Sequence, residues 1–330
     1  MVNAPEAEAY SGKTVLIAGG RGYIGSAVLN LLSSVDCRLI LADRSGGGWV
    51  PETHLAEIVP ARADLTTEEG WRHVLCDVDC VFHFAGLEYD RGSFDWEMDL
   101  TSNFLSVARL LSVCRELSTP PRIVFASSAN VVGQSSAGVS GATMLDDPLS
   151  LWSVHKLMAE KYLRVYALKD GISSTSLRLS NVYGPTANPA VNNRVVLNKV
   201  ICRALDGNPL TLFANRYLKR DFVHINDVSR AFVAAGSSKS ECMMDGRSYY
   251  VGSGQALSFQ ALWDIVAAEV ERMTGKFVSI EIDESVPIEP LDMRSFCDDV
   301  SGLKDACGWR PEYSPTEGVR QSIATFLKRI

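Results

Sequence analysis

The segment from Thr14 to Gly25, TVLIAGGRGYIG, constrains this chain most, because an apolar run meets four glycines within a few residues. Residues 15–17 predict a buried strand, and the apolar spacing that resumes after the glycines predicts an amphipathic helix. Glycines at such a turn let the backbone approach a ligand closely, and the first amides of a helix attract phosphate. We therefore predict a dinucleotide held by Gly19, Gly22, Tyr23, Ile24 and Gly25.

An acidic residue follows at the spacing that an adenosine ribose requires. The second apolar segment, residues 38–42, ends in Asp43, which lies 18 residues beyond Gly25, close to the roughly 20 residues expected. A carboxylate there binds the ribose hydroxyls and repels a 2′-phosphate, so NAD is favoured over NADP. A glycine run alone could be a tight turn, and a lone aspartate could be a cap. Strand, glycines, helix, second strand and acid in this order favour NAD binding.

Length, charge and cysteine usage narrow the class of protein. The 330 residues exceed one usual core, so a large domain with a smaller lobe is expected. The net charge of −7 argues against nucleic acid or an anionic membrane surface as a partner. The first dozen residues lack a signal-peptide pattern and no apolar run is long enough to span a membrane, which predicts a cytoplasmic protein. The eight cysteines are scattered without a CxxC pair, so neither a metal site nor a disulfide is predicted.

Strand and helix signals alternate through the first half, which predicts a doubly wound parallel sheet of the Rossmann type. The predicted strands are 79–85, 121–127 and 173–179, and the predicted helices are 96–117, 149–169, 194–205, 226–235 and 258–273. After residue 184 proline, asparagine and glycine become frequent. We expect an NAD-binding domain over 1–182 and a smaller α/β substrate lobe over 183–330, with about 220–240 returning to the first domain.

Further motifs carry a family resemblance over nearly the whole chain. They are GGRGYIG, Asp64-Leu65, HFAG at 83–86, Asn103, SSANVVG at 127–133, RLSNVYGP at 178–185, KRDFVHINDVSRA at 219–231 and GWRPEYSPTEGV at 308–319. In this order they resemble the extended short-chain dehydrogenase/reductases, in the nucleotide-sugar epimerase/dehydratase branch. The resemblance implies NAD and a nucleotide diphosphate sugar as ligands, and it places Asp64, Leu65 and Ala85 at the cofactor.

The resemblance also implies a catalytic serine or threonine, a tyrosine, and a lysine four residues beyond that tyrosine. Ser128 and Lys156 match two of these, the lysine also orienting the nicotinamide ribose, but Trp152 stands at the tyrosine position. An indole N–H donates a hydrogen bond and cannot accept a proton, so the usual acid/base group is missing. Losing such a group typically costs about 10² to 10⁴ in rate.

A neighbouring proton carrier could replace the missing tyrosine. His155 lies three residues from Trp152 on the same side of the predicted helix, and a histidine ordinarily titrates near neutral pH. The alternative, which general experience favours, is an ordinary solvated helix residue. Glu88 and Tyr89 follow the HFAG strand and could also serve, or they could be solvent-facing loop residues.

The missing tyrosine is also compatible with a different base or with a loss of catalysis. If the chemistry uses a different base, Ala129 and Asn130 bear on it, because they stand where dehydratases of the family carry an acidic pair. Dehydration is therefore disfavoured, which leaves epimerisation, oxidation or reduction through a keto sugar. Alternatively, the protein could bind NAD and a nucleotide sugar with little or no turnover, as a partner or regulator of an active homologue.

The resemblance implies that Asn181 and Arg220 contact the nucleotide diphosphate, a role suited to polar and cationic groups. The alternative is that Asn181 caps a turn while Arg220 pairs with Asp221. Glu289 stands where the family has an arginine, so either this contact comes from Arg294 or the nucleotide end binds differently. The residues expected to border the sugar are Glu88, Ser128 and Trp152.

A homodimer is the remaining expectation. In the family, the two long helices pair with their copies in a second subunit as a four-helix bundle. Apolar residues that could form it are Leu105, Ala108, Leu111 and Leu163, although these could face the sheet instead.

Overall fold

The computed structural model describes residues 5–88, 94–133, 139–140, 144–288 and 290–328. Its strands are β1 (Thr14–Ala18), β2 (Arg38–Asp43), β3 (Glu57–Arg62), β4 (Cys80–His83), β5 (Arg122–Ser128), β6 (Val139–Ser140), β7 (Ser174–Leu179), β8 (Asn181–Tyr183), β9 (Leu210–Phe213), β10 (Lys219–His224), β11 (Asp245–Val251), β12 (Ala256–Ser258), β13 (Ile280–Asp283) and β14 (Cys297–Asp298). Its helices are α1 (Tyr23–Leu32), α2 (Glu68–Val74), α3 (Trp96–Leu100), α4 (Ser106–Cys114), α5 (Leu151–Asp170), α6 (Val196–Leu205), α7 (Ile225–Ser237), α8 (Phe259–Thr274), α9 (Ser301–Cys307) and α10 (Pro315–Leu327).

Seven strands form a parallel sheet in the order β3-β2-β1-β4-β5-β7-β11. The strand order reverses between β1 and β4, which leaves a crevice at their carboxyl ends. Open sheets of this kind bind their ligands in that crevice. The Rossmann-type doubly wound fold predicted from the alternating pattern is confirmed.

Helices cover both faces of this sheet, which explains why its central strands are apolar throughout. Val15 and Ile17 of β1 pack in the same core cluster as α1 and α7, whereas Leu16 and Ala18 pack with α2, α4 and α5. Successive residues of a strand point to opposite faces, so one strand serves both layers.

The second lobe has its own core. It contains a three-stranded sheet of β12, β10 and β8 and a parallel pair of β13 and β9, packed with α6, α8 and α10. The chain also returns to the first domain, because α7 packs against α1 and β11 pairs with β7. The returning stretch therefore includes residues 225–251.

Most predicted elements lie within two residues of the observed ones, and the long helix predicted over 96–117 differs most. It consists of α3 and α4 joined by a π-helical turn, Thr101–Leu105, and it ends at Cys114. Single π turns inside helices often occur at functional sites. Within the described residues, no helix is both long and apolar enough to cross a membrane.

Candidate active site between the lobes

Two adjoining cavities of about 180 and 380 Å³ lie at the carboxyl ends of the central strands. They share Gly19 and residues 85–87. The smaller is lined by Asp43, Asp64 and Leu65 at the β2 and β3 side. The larger is lined by the glycine turn, Ser127, Ser128, Trp152 and Lys156 of the first domain, and by Val182, Arg194 and Val195 beyond it. The larger cavity therefore opens between the two lobes.

The glycine turn has the shape that a pyrophosphate needs. Gly19 has a φ of +77°, and a Cβ added there would lie 2.8 Å from the amide nitrogen of Ala85. A Cβ on Gly25 would overlap the carbonyl oxygen of Gly19. Gly22 is the N-cap of α1 and supplies no side-chain cap, so the first turn of this helix faces the cavity with its amides. This turn fits the phosphates of a dinucleotide.

Asp43 lines the smaller cavity. One carboxylate oxygen accepts hydrogen bonds from the backbone amides of Ser45 at 2.9 Å and Gly46 at 2.8 Å. The other accepts from the Arg21 guanidinium. Although partial burial opposes ionisation, the hydrogen bonds from Ser45 and Gly46 and the charge of Arg21 lower the pKa of Asp43.

Arg21 lines neither described cavity but pairs with Asp43, a contact that the sequence analysis missed. It neutralises Asp43, which weakens the expectation that the carboxylate repels a 2′-phosphate. Its Nε and Nη2 are buried without a hydrogen-bond partner among the described residues. Such orphaned donors fit an acceptor oxygen of a bound cofactor. A cation inside the glycine run is the signal that could have identified it.

The other expected cofactor residues border the same space. Asp64 accepts hydrogen bonds from the amide and hydroxyl of Thr66 at 3.0 and 2.6 Å, which shapes the turn after β3. Leu65 is buried beside it, and the Ala85 backbone lies against Gly19. These residues line the smaller cavity.

Ser128 and Lys156 come together in the larger cavity. Ser128 ends β5, and its hydroxyl accepts a hydrogen bond from the Asn130 amide at 3.1 Å. Lys156 projects from α5, and its ammonium donates to the Ala126 carbonyl at 3.2 Å. Burial lowers the pKa of Lys156 to about 8, although the nearby carboxylates of Asp99 and Glu160 oppose this.

Trp152 closes over Lys156 without offering a free polar atom. Its indole Nε1 donates to the carbonyl of Leu87 at 2.9 Å, so its hydrogen-bonding group is already used. The ring centroid lies 5.8 Å from Lys156 Nζ. Trp152 therefore shapes the cavity wall as an aromatic surface and carries no proton.

His155 lies behind the cavity and is not among the described residues that line it. Its side chain is 7% exposed, and Nδ1 lies 2.5 Å from a carboxylate oxygen of Asp99. Asn103, in the π-helical turn, donates to the other Asp99 oxygen at 2.7 Å and to the Leu87 carbonyl at 3.2 Å. The sequence predicted that His155 contacts the substrate or the solvent, and this prediction is wrong. The rotation of α5 turns His155 towards Asp99 of α3.

Glu88 borders the larger cavity, as expected, but it is 66% exposed and lies 3.6 Å from Arg194. This ion pair connects the loop after β4 to the second lobe, and Arg194 is another residue that sequence reasoning missed. Tyr89, the neighbouring alternative, lies outside the described residues.

Arg220 and Arg294 lie side by side in the second lobe and are both buried. Their guanidinium carbons lie 5.1 and 5.9 Å from the ring centre of Phe296. Burial, with the nearby charge of Arg294, lowers the pKa of Arg220 to about 10. Neither lines the cavity in the described residues. Glu289 lies outside the described part of the chain.

These two arginines bond to protein oxygens. Arg220 donates to the Asp292 carbonyl at 3.0 Å, and Arg294 donates to the Val132 carbonyl at 2.9 Å and to the side chain of Asn130 at 2.6 Å. Asn181 is exposed, and its amide donates to the Asp221 carbonyl at 2.9 Å. The three expected phosphate ligands thus border the lobe junction and do not converge on one described cavity.

Comparison with known proteins agrees with this geometry. The model of the NAD dependent epimerase/dehydratase family matches residues 15–252, which is well over half of the chain. The chain belongs to this family. The protein is therefore NAD-dependent, as its family is, and it is an enzyme of the epimerase/dehydratase class.

Individual members of the family align over almost the full length. A UDP-glucose 4-epimerase of Azospirillum brasilense is 28% identical, over 96% of this chain and 92% of that protein. An uncharacterized UDP-glucose epimerase of Bacillus subtilis, YtcB, is 26% identical, over 94% and 96%. The solved structure of MoeE5 in complex with UDP-glucose and NAD is 27% identical, with a TM-score of 0.79 over 96% of this chain and 99% of that one.

Proposed function

We propose that this protein is an NAD-dependent nucleotide-sugar epimerase that acts through a keto-sugar intermediate, in the manner of a UDP-sugar 4-epimerase. The observation that carries the proposal is that Ser128 and Lys156 line a cavity continuous with the glycine turn. The relatives support a UDP-sugar, since two that align over almost the full chain carry UDP-glucose epimerase names and MoeE5 was solved with UDP-glucose.

The chain's residues divide the work between cofactor and substrate. The first turn of α1 and Arg21 hold the phosphates and the ribose edge, and Asp43 binds the ribose hydroxyls. Ser128 donates a hydrogen bond to the reacting sugar oxygen, and Lys156 orients the nicotinamide ribose. When bound, NAD supplies the hydride acceptor that makes the oxidation reversible.

The positive charges of the second lobe suggest where the nucleotide diphosphate of the substrate binds. We place the diphosphate against the lobe junction that carries Arg220 and Arg294, with Asn181 at its edge. Two neighbouring guanidinium groups suit an anionic ligand. The sugar then extends towards Ser128 and the aromatic wall of Trp152.

Dehydration is disfavoured at this site. Elimination of water needs an acid and a base beside the reacting carbons. Ala129 and Asn130 follow the catalytic serine, and Asn130 is bonded to Arg294. Neither side chain can move a proton here, which supports epimerisation over dehydration.

A second candidate is a binding protein with weak or no turnover, which would act as a partner or regulator. One observation favours it: the indole at position 152 is bonded to the Leu87 carbonyl and offers the substrate no hydrogen bond.

To distinguish the two functions, the purified protein is assayed for epimer formation with a panel of UDP- and GDP-sugars, and the binding of each sugar is measured by calorimetry. Epimer formation supports the enzyme, whereas tight binding of NAD and nucleotide sugars without any product supports the binding protein.

Trp152→Tyr tests how completely the rest of the site is assembled. We expect epimerase activity to rise at least about 10-fold, because a phenol beside Lys156 adds an acid/base group worth about 10² to 10⁴ in full. Trp152→Phe is the matched control, since it keeps an aromatic wall without a hydroxyl. Equal activity of the two variants would contradict the proposed geometry.

We also propose a homodimer through α5 and α3. Leu111 and Leu163 are buried in the core against the sheet, so they do not serve this role. Tyr162, Val165 and Leu168 of α5 are instead 42%, 46% and 63% exposed, and Trp96 and Met98 of α3 are also exposed. Large apolar side chains in this number on one region favour an interface. Leu168→Glu should yield a monomer by light scattering, whereas Leu55→Glu, at another exposed leucine, should not.

The cytoplasmic location of the protein stays a prediction.

A further inference from the structure

Removal of a proton from the sugar hydroxyl needs an acceptor, and the described lining of the larger cavity offers few. The Tyr23 hydroxyl donates to the Gly184 carbonyl at 2.6 Å, and burial raises its pKa far above neutrality. Glu88 is exposed and lies against Arg194, itself a permanent cation. Lys156 is the remaining titratable group of this lining, and it lies at the buried end.

Lys156 is held in surroundings that compensate its charge poorly. Its ammonium lies 5.0 Å from the centre of the Phe125 ring and 5.8 Å from that of Trp152. Its one described hydrogen bond goes to the neutral carbonyl of Ala126 at 3.2 Å. A desolvated ammonium without a directly bonded carboxylate gives up its proton more easily than one in water.

Two carboxylates face Lys156 from different helices, and other groups already engage both. Glu160 of α5 accepts from Arg178 at 2.6 Å and from Ser127 at 2.5 Å. Asp99 of α3 accepts from Asn103 and lies against His155. Each therefore stabilises the ammonium only partly.

His83 of β4 also interacts electrostatically with Lys156. Burial, with a contribution from the Lys156 charge, lowers the pKa of His83 to about 3, so it is neutral near pH 7. The charge on Lys156 is thus set mainly by burial, Asp99 and Glu160.

We propose that Lys156 itself carries the proton in this protein, in the place of the missing phenol. The neutral amine accepts the proton of the sugar hydroxyl as the carbon–hydrogen bond breaks and its electron pair leaves as hydride to NAD. The products are the keto sugar, the reduced cofactor and the Lys156 ammonium, and the reverse step returns both hydride and proton. Trp152 contributes by covering the amine with an apolar ring. This assignment rests on the proposed function.

The sign of the pH dependence distinguishes this role from a purely electrostatic one. If the neutral amine is the base, kcat/KM for the sugar rises as pH increases through about 8 and then levels off. If the ammonium only orients the cofactor, kcat/KM falls over the same range. The second result would overturn the proposal while leaving the epimerase function intact.

A measurement without turnover tests the same group. Competitive acetylation with acetic anhydride over pH 6–11, followed by mass spectrometry, reports the fraction of each lysine that is neutral. Lys156 should reach half of its maximal reactivity near pH 8, well below the ordinary lysine pKa of 10.5. A Lys156 midpoint at that ordinary value would overturn the proposal whether or not the protein turns over.

Asp99→Asn provides a directional test in the same assay. Removing this carboxylate should move the Lys156 midpoint to lower pH, because Asp99 stabilises the ammonium. Glu97→Gln is the matched control on the same helix, since Glu97 is exposed, and it should leave the midpoint unchanged. An unchanged midpoint in a folded Asp99→Asn protein would contradict the electrostatic part of the argument.

Substitution of Lys156 completes the test. Lys156→Arg keeps a positive charge but cannot accept a proton, so kcat/KM should fall at least about 100-fold. Adding Trp152→Tyr to that variant should recover at least about 10-fold, because the phenol then serves as base. Activity of Lys156→Arg within about threefold of wild type would overturn the proposal. Loss that the added tyrosine does not recover would also count against it, provided that calorimetry shows NAD bound.

Discussion

Gly25→Ala is the substitution whose consequence follows most directly from the structure. An added Cβ would overlap the carbonyl oxygen of Gly19 and lie 2.8 Å from Gly20 Cα and 3.0 Å from the carbonyl carbon of Gly19. All three are backbone atoms, so no flexible side chain can move aside. The start of α1 must therefore shift away from the turn that follows β1.

Two magnitudes follow from this shift. Overpacking of this kind costs about 1 to 3 kcal/mol of folding free energy, which corresponds to a fall in Tm of a few degrees for a chain of this size. A displaced helix start also loses amide hydrogen bonds to phosphate, each worth about 1.5 to 3 kcal/mol. The Kd for NAD should therefore rise at least about 10-fold.

Calorimetric titration of NAD into stripped protein, together with thermal unfolding, measures both effects. Gly47→Ala is the matched control, because a Cβ there meets nothing within 4 Å and its φ is not positive. The control should bind NAD and unfold as wild type does. Unchanged NAD affinity in Gly25→Ala would refute the argument that this glycine holds the helix start against the cofactor turn.

Further predictions concern charge. Arg21→Ala leaves Asp43 unneutralised, so the ratio of the Kd for NADP to that for NAD should rise at least about 10-fold by calorimetry; an unchanged ratio would contradict this role. Burial raises the pKa of Asp298 to about 8, so between its unfolded value and pH 8 the folded state holds a proton that the unfolded state lacks. The stability that this group contributes is therefore lost as pH rises towards 8. Relative to wild type, the unfolding free energy of Asp298→Asn, measured in urea, should increase by about 1.4 kcal/mol per pH unit between pH 5 and 7. A difference between the two proteins that does not change with pH would argue against a raised pKa of Asp298. Asp227→Ala removes the buried carboxylate partner of Arg230, which keeps only the exposed Glu312 among the described carboxylates, and it should lower the unfolding free energy by about 3 to 5 kcal/mol. A loss below about 1 kcal/mol would be inconsistent with a structural role of the buried pair.

The sequence by itself determined the fold class, the cofactor turn and the missing phenol. These depend on local order along the chain: an apolar run that meets glycines, an acid at a set spacing, and a lysine four residues beyond Trp152. Helix and strand periodicity is likewise local, so most predicted elements lie within two residues of the observed ones.

Tertiary structure alone decided what these residues touch. The contacts of Arg21 with Asp43, of Trp152 with the Leu87 carbonyl and of His155 with Asp99 join positions 22, 65 and 56 residues apart. Each depends on how a helix is rotated against its neighbours or on which strands adjoin in the sheet, and local periodicity carries no record of either. For that reason the sequence left His155 as a candidate proton carrier, whereas packing buried it against Asp99 and left Lys156 at the cavity.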